Sequence, residues 1–129
     1  MPWEVEFTAE FGTWWDQLVE AEQIKVAAVV RLLEELGPDL PFPVSSGVKG
    51  SRFARMRELR IQAVGNPLRV LYAFDPRRVA ILLLGGNKKG RDRWYQINLA
   101  KADKLFSQHL QLLRKEAKSR ASRDDPENG

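Results

Sequence analysis

Cysteine is absent from the 129 residues, and histidine occurs once, at His109. The first absence excludes disulfides and thiolate-built zinc sites and fits a reducing compartment. The second excludes any ribonuclease mechanism that divides acid and base work between two histidines. Long apolar runs are also missing: nothing approaches the ~20 residues needed to span a bilayer. The opening Met-Pro-Trp-Glu-Val-Glu lacks both the basic start and the apolar stretch of an export signal. A soluble protein of the cytoplasm, without membrane contact, is expected. No HExxH, CxxC, P-loop or GxGxxG pattern occurs. Asp124, Asp125 and Glu127 cluster in a polar tail, which makes a poor metal site. No metal and no cofactor are therefore expected.

What is present is an uneven distribution of charge. Residues 1–48 carry a balance of −7, residues 49–95 a balance of +9, and residues 96–129 a balance of +2. A one-sided field of this kind attracts polyanions to one surface and repels them from another. A solvated surface with accidental asymmetry is the plainer alternative. At 129 residues and 43% hydrophobic content the chain suits one modest core. One domain over residues 1–115 is expected, followed by a polar, disordered tail over 116–129.

Val5 and Phe7 alternate with Glu4 and Glu6, as in a short half-buried strand. Thr8 is placed to cap a helix carrying Phe11, Trp14, Trp15 and Leu18. In a second helix Ile24, Ala28, Leu32 and Leu36 form an i, i+4 ladder, widened by Val29 and Leu33 and stopped by Gly37-Pro38. Residues 37–51 are rich in Pro, Gly and Ser and read as a loop. The period then changes to two. Strands are expected over Arg55–Ala63, Leu68–Asp75 and Val79–Gly85, joined by turns at Gly65-Asn66-Pro67 and Asp75-Pro76-Arg77-Arg78. Ile81 to Leu84 are apolar on both faces, so that strand should be interior. Gly85 to Gly90 read as a flexible basic loop, and Asn98 as the cap of a last helix with Leu99, Ala102, Phe106, Leu110 and Leu113 on one face. The expected class is α+β: a small antiparallel sheet with an N-terminal helical hairpin and a C-terminal helix, in the order β-α-α-β-β-β-α.

Strand alternation puts Arg52, Met56, Glu58, Arg60 and Gln62 on one face, and Arg69, Leu71 and Ala73 on one face of the next strand. If the hairpin closes near Val64–Gly65, Arg60 lies opposite or diagonal to Arg69. Two adjacent arginines repel unless an anion joins them, which hints at a phosphate site. Alternatively, each folds its stem over apolar surface and reaches water. Lys88 and Lys89 leave the interior strand in a glycine-flanked loop that either meets a ligand or merely solubilises. Trp94 and Tyr95 beside these cations suit nucleobase stacking, although Trp94 also suits the core. The lone His109 reads as a helix-surface or partner-contact residue. A nuclease built from these residues would work without metal.

Four segments in order, Glu58-Leu59-Arg60, Arg69 to Phe74, Leu84 to Gly90 and Arg93-Trp94-Tyr95, resemble the RelE/ParE toxin superfamily, in its HigB-like, phage-derived branch. The resemblance covers about Trp3 to Leu113. It implies a RelE-like fold and the toxin of a type II toxin–antitoxin system, partnered by a helix-turn-helix, HigA-like antitoxin. It also implies a ribosome-dependent endoribonuclease, an mRNA interferase that inhibits translation. Arg60 and Arg69 match the arginines that hold the scissile phosphate, and Lys88 matches the basic residue after the following strand. Tyr95 falls where a C-terminal tyrosine would act, across a longer loop. Arg52, Arg57, Lys89, Arg91, Arg93 and Trp94 would form the surrounding RNA-binding surface. A ParE-like gyrase poison and a non-catalytic nucleic-acid-binding module are the competing implications.

Overall fold

Thr8 makes the first junction between layers. In the computed structural model, which describes residues 2–123, its hydroxyl accepts the Phe11 N–H at 3.1 Å and donates to the Leu83 carbonyl at 2.7 Å. One side chain thus caps helix α1 (Ala9–Gln17) and ties it to the interior strand of the sheet. Helix α2 (Glu20–Leu36) follows at once; the Glu22 carboxylate accepts the Val19 N–H at 3.2 Å, satisfying one of the free donors at the helix start. Gly37 ends the helix at φ +55°, where any Cβ would collide with Trp3.

The sheet has five strands: β1 (Val5–Phe7), β2 (Ser45–Gly47), β3 (Arg57–Ala63), β4 (Asn66–Phe74) and β5 (Ala80–Asn87), in the spatial order β1-β5-β4-β3-β2. The three long strands form the expected antiparallel meander. Val64 (φ +52°) and Gly65 (φ +76°) make a two-residue turn with both centres left-handed, the geometry that matches strand twist. Two features differ from expectation. A short strand, β2, lies inside the Pro/Gly/Ser-rich segment, pairing Ser45 with Leu59; three residues are too few to show a period. And β1 runs parallel to β5, so the sheet is mixed. The interior position of β5 is as expected.

Alternation divides the sheet into two cores. Leu59, Ile61, Leu68, Val70, Tyr72 and Leu82 face Phe11, Val26 and Leu33 of the helical hairpin. Met56, Leu71, Ala73, Ile81 and Leu83 face Trp94, Leu99, Ala102 and Phe106 of helix α3 (Trp94–Arg123). The α3 face was therefore legible, with Leu110 and Leu113 half-buried beyond it. The α2 face was not. Its buried line is Glu22, Val26 and Leu33, whereas Ile24 is 62% exposed, and Leu32 and Leu36 are exposed as well. Apolar residues surround more than half of α2, so periodicity cannot choose the phase; contact with β3 does.

Helix α3 starts at Trp94, four residues before the expected cap, and the Asn98 amide donates to the Trp94 carbonyl instead. It continues through residues 116–123, which were expected to be tail; Asp124, Asp125 and Glu127 lie outside the described residues. Gly85 and Gly86 belong to β5 rather than to a loop. Among the described residues no helix is long and apolar enough to cross a membrane, and no cluster of His, Asp and Glu is grouped to hold a metal.

His109 is not a free surface residue. Its Nε2 lies 2.9 Å from Asp75 Oδ2, with the ring stacked on Phe106. The fully buried Asp75 carboxylate also accepts Arg77 Nε at 2.9 Å and the Arg77 and Val79 N–H groups. Arg77 reaches on to Glu6 at 2.8 Å, so one network joins α3, the β4–β5 turn and β1. Burial alone would push the Asp75 carboxyl up, but the donors of His109, Arg77 and Val79 outweigh it and hold it below the usual aspartate value. A carboxyl with a lowered folded pKa stabilises above its unfolded pKa and loses that contribution as pH falls through the folded value. We therefore expect wild type to exceed Asp75→Asn in stability at neutral pH, with the gap closing below about pH 4. Urea unfolding of both proteins across pH 2.5–8 (roughly the range bracketing that carboxyl) measures it; a gap that persists unchanged at low pH would contradict the assignment.

Candidate active site

The two-residue turn fixes the hairpin register, and the register sets Arg60 directly opposite Arg69. The anion that joins them is internal. Glu58, two residues before Arg60 and so on the same face, places Oε1 3.8 Å from Arg69 Nε and 3.9 Å from Arg60 Nε. The two arginines are not equivalent. Arg69 is buried, its Nη1 donating to the Leu68 carbonyl at 2.9 Å, whereas the Arg60 side chain is 35% exposed. Two buried polar atoms in this cluster have no hydrogen-bond partner: Glu58 Oε2 and Arg69 Nε. The remaining charge of the triad is one unit positive.

Tyr95 completes the group from α3. It stands half-buried against Glu58 and Arg69, and the Lys88 ammonium lies 5.6 Å from the centre of its ring. Burial pushes the phenol up, the Glu58 carboxylate pushes it further by holding the phenol proton and by disfavouring a second anion, and Arg69 opposes both; the net direction is upward. At neutral pH Tyr95 is thus a proton donor and not a base. Arg60, Arg69, Lys88 and Tyr95, picked out separately along the chain, meet in one place.

The surrounding residues sort differently. Trp94 is buried: its indole packs where Gly86 has no side chain, and a Cβ there would come within 2.7 Å of Nε1. It meets Tyr95 edge-on at 5.1 Å and is unavailable to stack a base. Arg57 lies on the other face of the sheet, because odd-numbered β3 residues point to the helical hairpin; its Nε donates to Ser45 Oγ at 2.8 Å, and Ser45 bonds the buried Tyr72 hydroxyl. Arg91 and Arg93 border a separate shallow surface with Ile97 and Lys101. Lys89 is exposed in the loop beyond β5.

Arg52 precedes β3 instead of belonging to it, so strand alternation does not place it. Asp103 does: it accepts Ser51 Oγ and, at 2.9 Å, the Arg52 N–H, tying the 49–52 loop to α3. Loop and helix enclose a cleft of about 850 Å³ that begins at Tyr95 and runs past Lys49, Arg52 and Lys104. The exposed ring of Phe42 lies 5.6 Å from the Arg60 guanidinium. Glu58 and Phe42 were missed as site residues. The same i, i+2 alternation that selected Arg60 could have selected Glu58. An isolated aromatic between Pro41 and Pro43 offers only a weak signal.

Removing one member of a buried ion pair costs ~3–5 kcal/mol because its partner stays charged and unpaired, whereas an exposed pair contributes ~0–1 kcal/mol. We expect Arg69→Ala to lower unfolding free energy by about 3 kcal/mol or more and Arg60→Ala by less than about 1 kcal/mol. Urea unfolding at neutral pH reads the difference; equal losses would show that the two arginines share one environment.

Residues 13–107 match the family described as phage derived protein Gp49-like (DUF891). Two proteins of Mycobacterium tuberculosis that carry the names toxin HigB2 and toxin HigB3 are 46% identical over 87 residues and 45% identical over 102 residues. These alignments take in 66% and 74% of this chain; they span 43% of HigB2, less than half its length, and 88% of HigB3. Solved structures share the fold at lower identity. The toxin–antitoxin complex RelBE2 from M. tuberculosis superposes with a TM-score of 0.51 at 19% identity, over 67% of this chain and 99% of that one. A mutant E. coli toxin RelE in the free state gives 0.55 at 12% identity, over 81% and 97%.

Proposed function

This chain belongs to the phage-derived Gp49-like family, in the HigB-like branch of the RelE superfamily, and from that membership we propose that it is the toxin of a type II toxin–antitoxin pair and cuts mRNA on the ribosome. The observation that carries the chemical part is the convergence of Arg60, Arg69, Lys88 and Tyr95 in one side-chain cluster in a fold shared with RelE. Fold alone does not select among activities, so the site must.

Cleavage by the neighbouring 2′-hydroxyl needs donors for the charge that develops on phosphate, a proton acceptor and a proton donor. Arg60, half-exposed and oriented by Glu58, is placed to take the phosphate; an arginine fork suits two oxygens at once. Arg69 adds fixed positive charge beneath it. Tyr95, held protonated by burial, and Lys88 are the two donors beside each other for the leaving 5′ oxygen. The cleft along α3, bordered by Lys49, Arg52 and Lys104, would carry the adjoining backbone. Positioning of the reacting groups supplies much of the rate of such a cleavage, and the ribosome is the proposed holder of the mRNA. The partner is a cognate antitoxin, as in the RelBE complexes whose toxins share this fold. The setting is the cytoplasm, where ribosomes are.

The test is brief induction in cells without the antitoxin, followed by mapping of mRNA 5′ ends. Codon-phased cuts within translated regions are expected, with growth arrest, and both should vanish in Arg60→Ala while that variant stays folded. Gyrase-linked DNA breaks with intact mRNA would replace this reading by gyrase poisoning. Harmless expression of folded wild type would leave only a nucleic-acid-binding module.

A further inference from the structure

Glu58 Oε2 and Arg69 Nε are an unpartnered acceptor and an unpartnered donor in the same buried cluster. Buried polar groups left unpaired are costly, about 1–3 kcal/mol each, so an arrangement that keeps both is one that a ligand completes. The ligand must supply an acceptor to the arginine and a donor to the carboxylate. A phosphate alone offers acceptors only, and a DNA backbone offers nothing more. A ribose with its 3′-phosphate offers both: a non-bridging oxygen for Arg69 and the 2′-hydroxyl proton for Glu58.

We propose that Glu58 is the catalytic residue that removes the 2′-hydroxyl proton, an inference that rests on the ribonuclease reading above. Carboxylate geometry supports it. Arg60 and Arg69 both approach Oε1, which leaves Oε2 as the buried oxygen without a hydrogen-bond partner, on a carboxylate that also faces the Tyr95 phenol. Lysine and arginine are poor acceptors at neutral pH, and Tyr95 carries its proton, so Glu58 is the one carboxylate in the cluster able to accept. In the step, Oε2 takes the proton while the O2′–P bond forms and the P–O5′ bond breaks. The 5′ oxygen leaves with a proton from Tyr95 or Lys88. The products are a 2′,3′-cyclic phosphate and a 5′-hydroxyl end, and the proton gained by Glu58 and lost by the donor is exchanged with solvent.

A mere counter-ion would also touch both arginines, so the test separates proton removal from charge balance. Ribosomes are programmed with mRNA carrying either a normal phosphate or a 5′-bridging sulfur at the cut site; the thiolate leaves without needing a proton. Binding is followed with 2′-O-methyl mRNA, which cannot be cut. Glu58→Gln is expected to bind the methylated complex as wild type does and to cut normal mRNA at least about 100-fold more slowly, within the range of a lost general base. The sulfur substitution should not restore its rate. Glu58→Asp, which keeps a carboxylate set back by one methylene, should retain part of the activity and carries the same comparison if Glu58→Gln fails to bind. Wild-type rates in a folded, binding Glu58 variant, or recovery with the sulfur substrate, would overturn the proposal for Glu58 alone. Failure of wild type to cut ribosome-bound mRNA would overturn the ribonuclease reading itself.

Discussion

Two adjacent residues without side chains, at the end of the interior strand, hold the layers of this protein in place. A Cβ on Gly85 would collide with the Trp14 indole, and one on Gly86 would meet the Trp94 indole at 2.7 Å. The glycines therefore dock one tryptophan on each face of β5: Trp14 from α1, Trp94 from the first turn of α3. Their opposite orientation depends on a register shift upstream. Leu71 pairs with Leu84 but Tyr72 pairs with Leu82, so Leu83 is an extra residue that resets the alternation of the strand. Gly86 then faces α3 directly beside Arg69, its partner on β4. Because Trp94 sinks into that space, the next residue, Tyr95, arrives against Glu58 and Arg69. The absence of side chains at one strand end thus positions an aromatic hydroxyl on another element.

That placement matters because the site is electrostatically demanding. Two arginines directly opposite in a sheet would repel, and at ~4 Å with an effective dielectric near 20 a single pair of charges interacts by about 4 kcal/mol. Glu58 turns repulsion into a shared ion pair at 3.8 and 3.9 Å. The arrangement is still not one of maximal stability, since Arg69 and Glu58 are both desolvated and each retains an unpaired atom. A hydrophobic pair would hold the hairpin as well. Local conflicts of this kind are expected at functional sites, and here the conflict lies against Tyr95, which also borders the α3 cleft.

Much of this was legible in the chain, for identifiable reasons. The meander, the buried face of α3 and the pairing of Arg60 with Arg69 all follow from local periods and turn chemistry, although the first turn is Val64–Gly65 and Asn66 and Pro67, read as turn residues, already belong to β4. The phase of α2 was not legible, because valine and leucine surround most of that helix and only contact with β3 selects Val26 and Leu33 over Ile24 and Leu32. Trp94 and Arg57 belonged to the predicted RNA surface on charge and composition, but parity sends Arg57 to the hairpin face and Gly86 admits Trp94 to the core. Glu58 was overlooked for the opposite reason: a lone acid in a basic stretch dilutes a charge count, although strand alternation had already placed it beside Arg60. Counting charge finds a surface; only register finds the pairing within it.

The same parity explains how an unremarkable net charge of +4 becomes a directional field. Every residue of β3 and β4 faces either the helical hairpin or α3. The hairpin carries Glu10, Asp16, Glu20, Glu22, Glu34 and Glu35 against Lys25 and Arg31, so its layer is negative. Arg60, Arg69, Lys88, Arg52 and Lys104 gather on the α3 side. A polyanion is drawn to one layer and turned away from the other, and the sheet between them fixes which is which. Within the attractive layer the two strand arginines differ by depth. In the proposed reaction Arg60, partly exposed, would close on an incoming phosphate, while Arg69, buried and fixed to the Leu68 carbonyl, would present charge that needs no reorganisation when charge develops. A flexible first contact above a rigid second one requires unequal burial of two residues that face each other, and the α3 helix supplies it by covering one strand of the hairpin more deeply than the other.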